Sequence, residues 1–483
     1  MLFNSIDFAF FLPIVFLLYW LVFGNSIKKQ NLLIVIASYV FYGWWDWRFL
    51  ALILMSTLID FFVGLKLKEE ENYKKRKILL WISILANLGI LGFFKYFNFF
   101  IENFTEAFCF FGANIQPNTL NIILPVGISF YTFQTLSYTI DVYKNKLKPT
   151  EDFISFSAFV CFFPQLVAGP IERATNLLPQ FYKKRTFVYA NAVDGMRQIL
   201  WGLIKKVVIA DNCAVYVNLF FNNSADYSGS TLFLGALFFT FQIYGDFSGY
   251  SDIAIGTSRL FGFDLMKNFS FPYFSRDIAE FWRRWHISLS TWFRDYVYIP
   301  LGGSKGGTWM KIRNTFIIFI VSGFWHGANW TFIIWGFLNA FYFLPLLLSN
   351  KNRVHLDVAS KGSYFPTIKD FLKISLTFAL TVFAWIFFRA ENVAIAFEII
   401  NKIFSPSFLT IPSFEGKRLA LVTCILITLF MIAEWLGRDK NYASENWGIN
   451  WKRPYRWGMY GRLLFIIFQF METDKSPFIY FQF

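Results

Sequence analysis

Charge, histidine and cysteine are all scarce in this 483-residue chain, which carries three His, four Cys and only 16% Asp, Glu, Lys and Arg. An ordinary soluble domain carries about 25% charged residues. The charges gather between apolar runs, so the runs lack charge over lengths that soluble helices do not sustain. An ordinary soluble globular protein is thereby excluded. The cysteines, Cys109, Cys161, Cys213 and Cys424, show no CxxC and no paired spacing, which removes a disulfide framework and a zinc site. The sequence also lacks a Walker A loop, a dinucleotide fingerprint, HExxH and G-x-S-x-G, and with them the matching ATPase, dehydrogenase, zinc-protease and lipase chemistries. No metal and no tightly bound cofactor is expected. The formal charge of +14 is not gathered into one basic domain but spread beside apolar runs, so it reads as cytoplasmic loops and not as a nucleic-acid surface.

What is present is apolar: 56% hydrophobic residues, with 66 Phe and 18 Trp. Transmembrane strands would show short alternating segments, whereas these are long continuous runs, so the fold class is all-α. The chain reads as a polytopic integral membrane protein with the lipid bilayer as its surroundings. It is expected to form one membrane domain over 1–483, with about ten to twelve transmembrane helices plus re-entrant and interfacial helices. Residues 1–24 lack a basic n-region and a cleavage site, so a first span is expected there and not a removable leader. The segment 66–77, KLKEEENYKKRK, carries six basic residues, whereas 104–119 carries none. That alternation places the first in the cytoplasm and the second outside. Two basic loops flank the short Pro- and Gly-ended run after Phe153, so 153–187 is expected to dip in and return. Between 276 and 294, Ile278, Trp282, Trp285, Leu289 and Trp292 recur at three- and four-residue spacing, predicting one amphipathic helix at the cytoplasmic interface.

The chain is organised around 315–348, TFIIFIVSGFWHGANWTFIIWGFLNAFYFLPLLL, which holds no Lys, Arg, Asp or Glu. A straight helix of that length would run about 50 Å and overshoot a hydrocarbon core of about 30 Å. A break is expected between Gly323 and Asn329. Irregular backbone at that depth must be buried in protein or line a wet cavity, and an ionisable side chain there marks function. The side chain in question is His326. It is either a satisfied core histidine or a general base, since burial favours the neutral ring that can accept a proton from a hydroxyl. His286, in RRWHISLSTWFRDY, is open to interfacial packing or to chemistry, and His355 lies among loop residues. Arg283, Arg284 and Arg294 form either a solvated cytoplasmic face or a contact for the phosphates of a nucleotide-bearing donor. Asp246 and Asp252 lie in apolar surroundings, with Asp60 and Asp141 near span ends; such carboxylates lock helices together or orient a histidine.

The succession YGDFSGYSDIAIG (244–256), FWRRWHISLSTWFRDYVYIPLGG (281–303) and FWHGANWTFIIWG (324–336) resembles the membrane-bound O-acyltransferase superfamily, in particular its bacterial alginate O-acetyltransferase branch. FFPQLVAGPIER at 162–173, GLIKKVVIAD at 202–211 and the terminal FIYFQF agree, and the resemblance covers almost the whole chain. It implies many helices around a thinned membrane region with a central tunnel, a cytoplasmic acyl donor entering from one side and the acceptor from the other. It implies that His326 matches the catalytic histidine and His286 the second histidine of the pattern. The expected activity is O-acyl transfer across the bacterial inner membrane from a cytoplasmic thioester, acetyl-CoA, to a hydroxyl of an exported polysaccharide or of an envelope acetyltransferase partner. Trp325, Asn329 and Trp330, with Asp246 and Asp252, would line the tunnel, and Arg283, Arg284 and Arg294 would gather the donor. D-alanyl transfer from a carrier protein and a non-catalytic exporter of polysaccharide or lipid-linked sugar are the alternatives.

Overall fold

In hydrocarbon every backbone N–H and C=O must be satisfied inside the protein, and a helix closes those bonds within one segment. The computed structural model describes residues 1–110, 116–117, 119–471 and 478–479, and among these residues it contains helices and no strands. Residues 111–115 and 118 of the outer loop, and 480–483 of the terminal motif, lie outside the described residues. Among the described residues, five helices are long and apolar enough to cross a membrane: Trp47–Glu69, Tyr73–Phe110, Trp330–Leu348, Ile368–Arg389 and Lys417–Leu436. The chain is a multi-pass, all-helical membrane protein. It divides into two compact units, Met1–Gly195 with Thr257–Met266, and Met196–Gly256 with Lys267–Phe483.

The first unit contains α1 (Ile6–Leu17), α2 (Ile27–Gly43), α3 (Leu50–Glu69), α4 (Tyr73–Phe110), α5 (Ile128–Tyr143), α6 (Phe153–Cys161), α7 (Phe163–Leu166) and α8 (Ala174–Leu177). One of its buried carboxylates is a fastener. Asp60 on α3, fully shielded from solvent, accepts hydrogen bonds from Ser83 and Asn87 on α4 and from Thr139 on α5. Three helices thus share one acceptor, which resolves the choice for Asp60 in favour of locking. The expectation for 153–187 meets a run of three short helices with a buried core; at nine, four and four residues, none is long enough to cross a bilayer. Asp152 caps the first by accepting from the N–H groups of Ile154 and Ser155.

The second unit holds most of α9 (Tyr189–Leu203) and α11 (Gly229–Leu260), together with α10 (Asn212–Asn222), α12 (Ile278–Arg284), α13 (Ile287–Phe293), α14 (Gly307–His326), α15 (Trp330–Leu348), α16 (Ile368–Arg389), α17 (Val393–Ile403), α18 (Lys417–Leu436) and α19 (Arg453–Gln469). Between α9 and α10 the backbone widens into π-helical turns over Ile204–Asp211. Two successive lysines there reach different partners. Lys205 pairs with Asp252 of α11 at 3.0 Å and Glu434 of α18 at 3.3 Å, while Lys206 pairs with Asp211 and with Asp246 of α11, both at 2.8 Å. The α9 and α11 backbones can come this close because Gly202 and Gly249 meet; a Cβ on Gly202 would stand 2.6 Å from the Gly249 carbonyl oxygen.

The central apolar run breaks where the sequence expects it. α14 ends at His326, Gly327 is extended, and Asn329 starts α15 by accepting from the Thr331 N–H at 3.0 Å. The two helices then pack back to back through glycine. A Cβ on Gly336 would sit 2.4 Å from the Phe319 carbonyl oxygen, and one on Gly323 2.2 Å from that of Phe332. The amphipathic segment differs from expectation, being two seven-residue helices, α12 and α13, and not one. Trp285 is extended and His286 takes a left-handed backbone with φ 43° and ψ 54°, a conformation side chains with a Cβ adopt only under constraint.

Gly336→Ala should therefore lower the thermal midpoint of the detergent-solubilised protein by an amount worth about 1–3 kcal/mol, because backbone cannot yield as a side chain can. Gly92→Ala on α4, with nothing within 4 Å of its Cβ, should leave the midpoint in place; equal midpoints for the two would contradict the packing. Lys206→Met strands the carboxylates of Asp211 and Asp246 and should cost about 3–5 kcal/mol in the same measurement, whereas Lys206→Arg should recover part of it.

Candidate active site

His326 and His286 are both buried in the second unit, 3% and 1% exposed. His326 occupies the last position of α14 because the chain must turn there. Gly327 passes so close beneath the Phe332 ring that a Cβ would lie 2.1 Å from a ring carbon. The imidazole is walled by aromatic rings, with centroids at 4.9 Å to Trp325, 5.2 Å to Trp335 and 5.2 Å to Phe388. Trp335 stacks on Trp385 of α16 at 5.6 Å and 18°, and Trp385 packs on Trp285 at 5.1 Å. The wall therefore draws on α14, α15, α16 and the α12–α13 junction.

His286 stands at that junction. Its ring lies edge-on to Phe247 of α11 at 4.6 Å and 6.1 Å from Trp325. Trp325 is thus in ring contact range of both histidines. Nδ1 of His286 lies 3.0 Å from the amide oxygen of Asn268. Burial pushes the His286 imidazole well below its ordinary range, so its neutral form prevails.

The other residues singled out by the sequence are placed as follows. Asn329 spends its amide on capping α15 and on the Glu391 carbonyl at 2.8 Å, and Trp330 is 54% exposed. Neither has a ring or hydrogen-bond contact with a histidine among those observed. Asp246 and Asp252 sit in the lysine network, the first directly before Phe247 and the second about one turn after Ser248. Asp246 also accepts the Ile479 N–H at 2.7 Å, and Phe478 packs on Tyr250 at 4.9 Å and Phe247 at 6.1 Å. Phe478 and Ile479 therefore reach the aromatic group that backs His286.

Arg283 donates to the carbonyls of Asn352 and His355, each at 2.7 Å. Arg284 donates to Glu280 at 2.8 and 3.1 Å and to the Asp357 carbonyl at 2.7 Å, and Arg276 bridges the same Glu280 and Asp357. These three guanidiniums pin the connection between α15 and α16. Arg294 pairs only with its neighbour Asp295 in the contacts observed, and its side chain is 58% exposed. Behind Asn268 lies a cavity of about 10 Å³, room for about one water, lined by Lys205, Ser251, Asp252, Lys267 and Asn441 among others. Among the described residues no group of three or more His, Cys, Asp or Glu side chains is arranged to hold a metal ion.

Trp335, Phe388, Phe247 and Asn268 were not singled out from the sequence. Trp335 and Phe247 sit inside the motifs that carry His326 and Asp246, whereas Phe388 belongs to no motif. Asn268 lies in a stretch outside any helix, with no periodicity, and nothing local marks it.

The sequence model of the membrane-bound O-acyltransferase family matches residues 32–353. The chain is 42% identical over 409 residues to the probable alginate O-acetylase AlgI of Pseudomonas aeruginosa, covering 84% of this chain and 75% of that protein. With the protein of the same name from Pseudomonas putida it shares 38% identity over the whole of both chains. It is also 36% identical to the peptidoglycan O-acetyltransferase of Helicobacter pylori, covering 83% of this chain and 79% of the relative. Taken with an all-helical membrane fold and two buried histidines around one tryptophan, these matches mean that the chain belongs to the membrane-bound O-acyltransferase family and is an O-acyltransferase.

Proposed function

We propose that this protein moves an acetyl group from cytoplasmic acetyl-CoA to a hydroxyl on the outer side of the bacterial inner membrane, with His326 as general base or transient acyl carrier. The acceptor in this reading is an exported polysaccharide, or a partner acetyltransferase of the envelope that completes the transfer; the relatives named for alginate and for peptidoglycan support that class. The observation that carries the reading is His326 itself, an imidazole at the break of the longest uncharged run, enclosed by Trp325, Trp335 and Phe388.

A thioester is already activated, so the protein must align a hydroxyl, take its proton and stabilise the charge that develops. In the base mechanism an imidazole nitrogen accepts the hydroxyl proton while the oxygen attacks the thioester carbonyl. Collapse of the tetrahedral intermediate breaks the C–S bond, and the departing thiolate takes the proton back. In the carrier mechanism the imidazole attacks first, releases the thiol and hands the acetyl group to the hydroxyl. Both routes place positive charge on the ring. His326 ends a helix, where the C-terminal dipole favours such charge by about 0.3–1 kcal/mol. The aromatic wall keeps water from competing with the acceptor hydroxyl. Arg294, exposed at the end of α13, is the guanidinium best placed to meet donor phosphates, while Arg283 and Arg284 shape the mouth by holding the α15–α16 connection.

His326→Ala should lower transfer of label from acetyl-CoA by about 100-fold or more while the protein stays inserted and monodisperse; near-normal transfer would remove His326 from the mechanism. Arg294→Ala should raise the KM for acetyl-CoA more than it lowers kcat, and an unchanged KM would return Arg294 to the solvated face.

A further inference from the structure

Asn268 is completely buried, and its amide joins three elements. Its oxygen faces His286 Nδ1 at 3.0 Å, the Ser288 backbone N–H at 3.3 Å and the Ser288 hydroxyl at 2.9 Å. Its nitrogen donates to the Ser251 hydroxyl of α11 at 3.1 Å. The backbone on either side is tied as well: Ile287 N–H donates to the Asn268 carbonyl and Ser270 N–H to the Arg284 carbonyl, both at 2.9 Å. These bonds hold His286 in its left-handed conformation.

The arrangement fixes more than orientation. A backbone N–H can only donate, so the amide atom that Ser288 N–H meets must be the oxygen, which settles which way the amide points. An amide oxygen can only accept. The imidazole nitrogen facing it must therefore carry the hydrogen, and in a neutral ring the other nitrogen then carries the lone pair. We propose that Asn268 is a positioning residue that holds His286 as its Nδ1–H tautomer, so that Nε2 serves the acyl transfer as a hydrogen-bond acceptor. The ring shares its neighbour Trp325 with His326, which gives the site a second imidazole. His286 Nε2 would take the hydrogen bond of the incoming hydroxyl, or of the leaving thiol, while His326 handles the proton or the acetyl group.

Titratable groups on the packed elements are Asp246 and Asp252 of α11, Lys267 beside Asn268, and His326 beyond Trp325. The first two are ion-paired with Lys206 and Lys205, and Lys267 donates to the Lys440 carbonyl at 3.1 Å. Asn268 is the group that the geometry puts on Nδ1.

This inference rests on the proposed acyl transfer for its purpose but not for its test. The chain has three histidines, so imidazole nitrogen-15 labelling of the full-length protein in lipid nanodiscs gives few signals. The His286 pair is assigned by its loss in His286→Gln. At neutral pH the wild type should show a protonated Nδ1 and a bare Nε2, and Asn268→Ala should turn this into a mixture of tautomers. A protonated Nε2 in the wild type, or an unaltered tautomer in Asn268→Ala, would overturn the assignment. Asn268→Asp keeps the shape and the acceptor, and Ser251 can turn its hydroxyl to donate. Its carboxylate should raise the acidic limb of kcat/KM for acetyl-CoA turnover by about one pH unit or more, since a charge that close favours the imidazolium. An unmoved limb would also count against the proposal. Loss of turnover in His326→Ala bears on the catalytic reading alone, and the nitrogen signals stand whichever donor the enzyme uses.

Discussion

The contact of two helix backbones at Gly323 and Gly336 governs the rest of the site. α14 and α15 can lie against each other only because neither glycine has a Cβ to drive into the opposing carbonyl. In lipid, where apolar side chains gain little by leaving one apolar medium for another, close backbone packing through small residues is the main source of helix association. That approach sets the position of His326 at the end of one helix relative to Trp335 in the next, a separation of 5.2 Å between rings. Trp335 stacks on Trp385, which meets Trp285 and the junction that carries His286. One backbone contact thus fixes two imidazoles through a chain of rings.

In the proposed mechanism the chain of rings acts through burial. Buried charge is matched by opposite charge in the Lys205 and Lys206 network, and a buried carboxylate is shared by three helices at Asp60. Aromatic rings line much of the surroundings of both histidines. A neutral imidazole in such surroundings is a proton acceptor, and in the proposed mechanism the helix end at His326 favours the cation that would form there. The arginines of the basic segment show the opposite economy: three of them spend their donors on loop carbonyls and carboxylates, holding a shape more than offering a charge. Arg294 is the exposed exception.

Much of this was legible in the sequence. A run of 34 residues without charge that contains Gly323, Gly327 and Asn329 around His326 has few ways to fold, and the break appears where length and glycine placed it. Asp60 behaved as buried carboxylates in helical membrane proteins commonly do. The amphipathic stripe from Ile278 to Trp292 misled, because three- and four-residue spacing is kept across two short helices as well as along one. The kink at His286 is imposed by hydrogen bonds to Asn268 and Ser270, which lie 14 to 18 residues upstream and leave no mark in local periodicity. Arg283 and Arg284 looked available because their partners are carbonyls of a distant connection, which a sequence cannot display. Trp335 and Phe388 were hidden by abundance, since one residue among 66 Phe and 18 Trp is informative only once its neighbours are known.

Sidedness tests the central claim most directly. Purified protein would be reconstituted in vesicles with labelled acetyl-CoA on the cytoplasmic face and a hydroxyl-bearing polysaccharide, with any envelope partner it needs, on the other. Transfer through His326 predicts that label reaches the far-side polymer in wild-type vesicles while acetyl-CoA stays behind, and that vesicles bearing His326→Ala deliver none. Label that appears only on the donor side, or that crosses equally well without the imidazole, would contradict it.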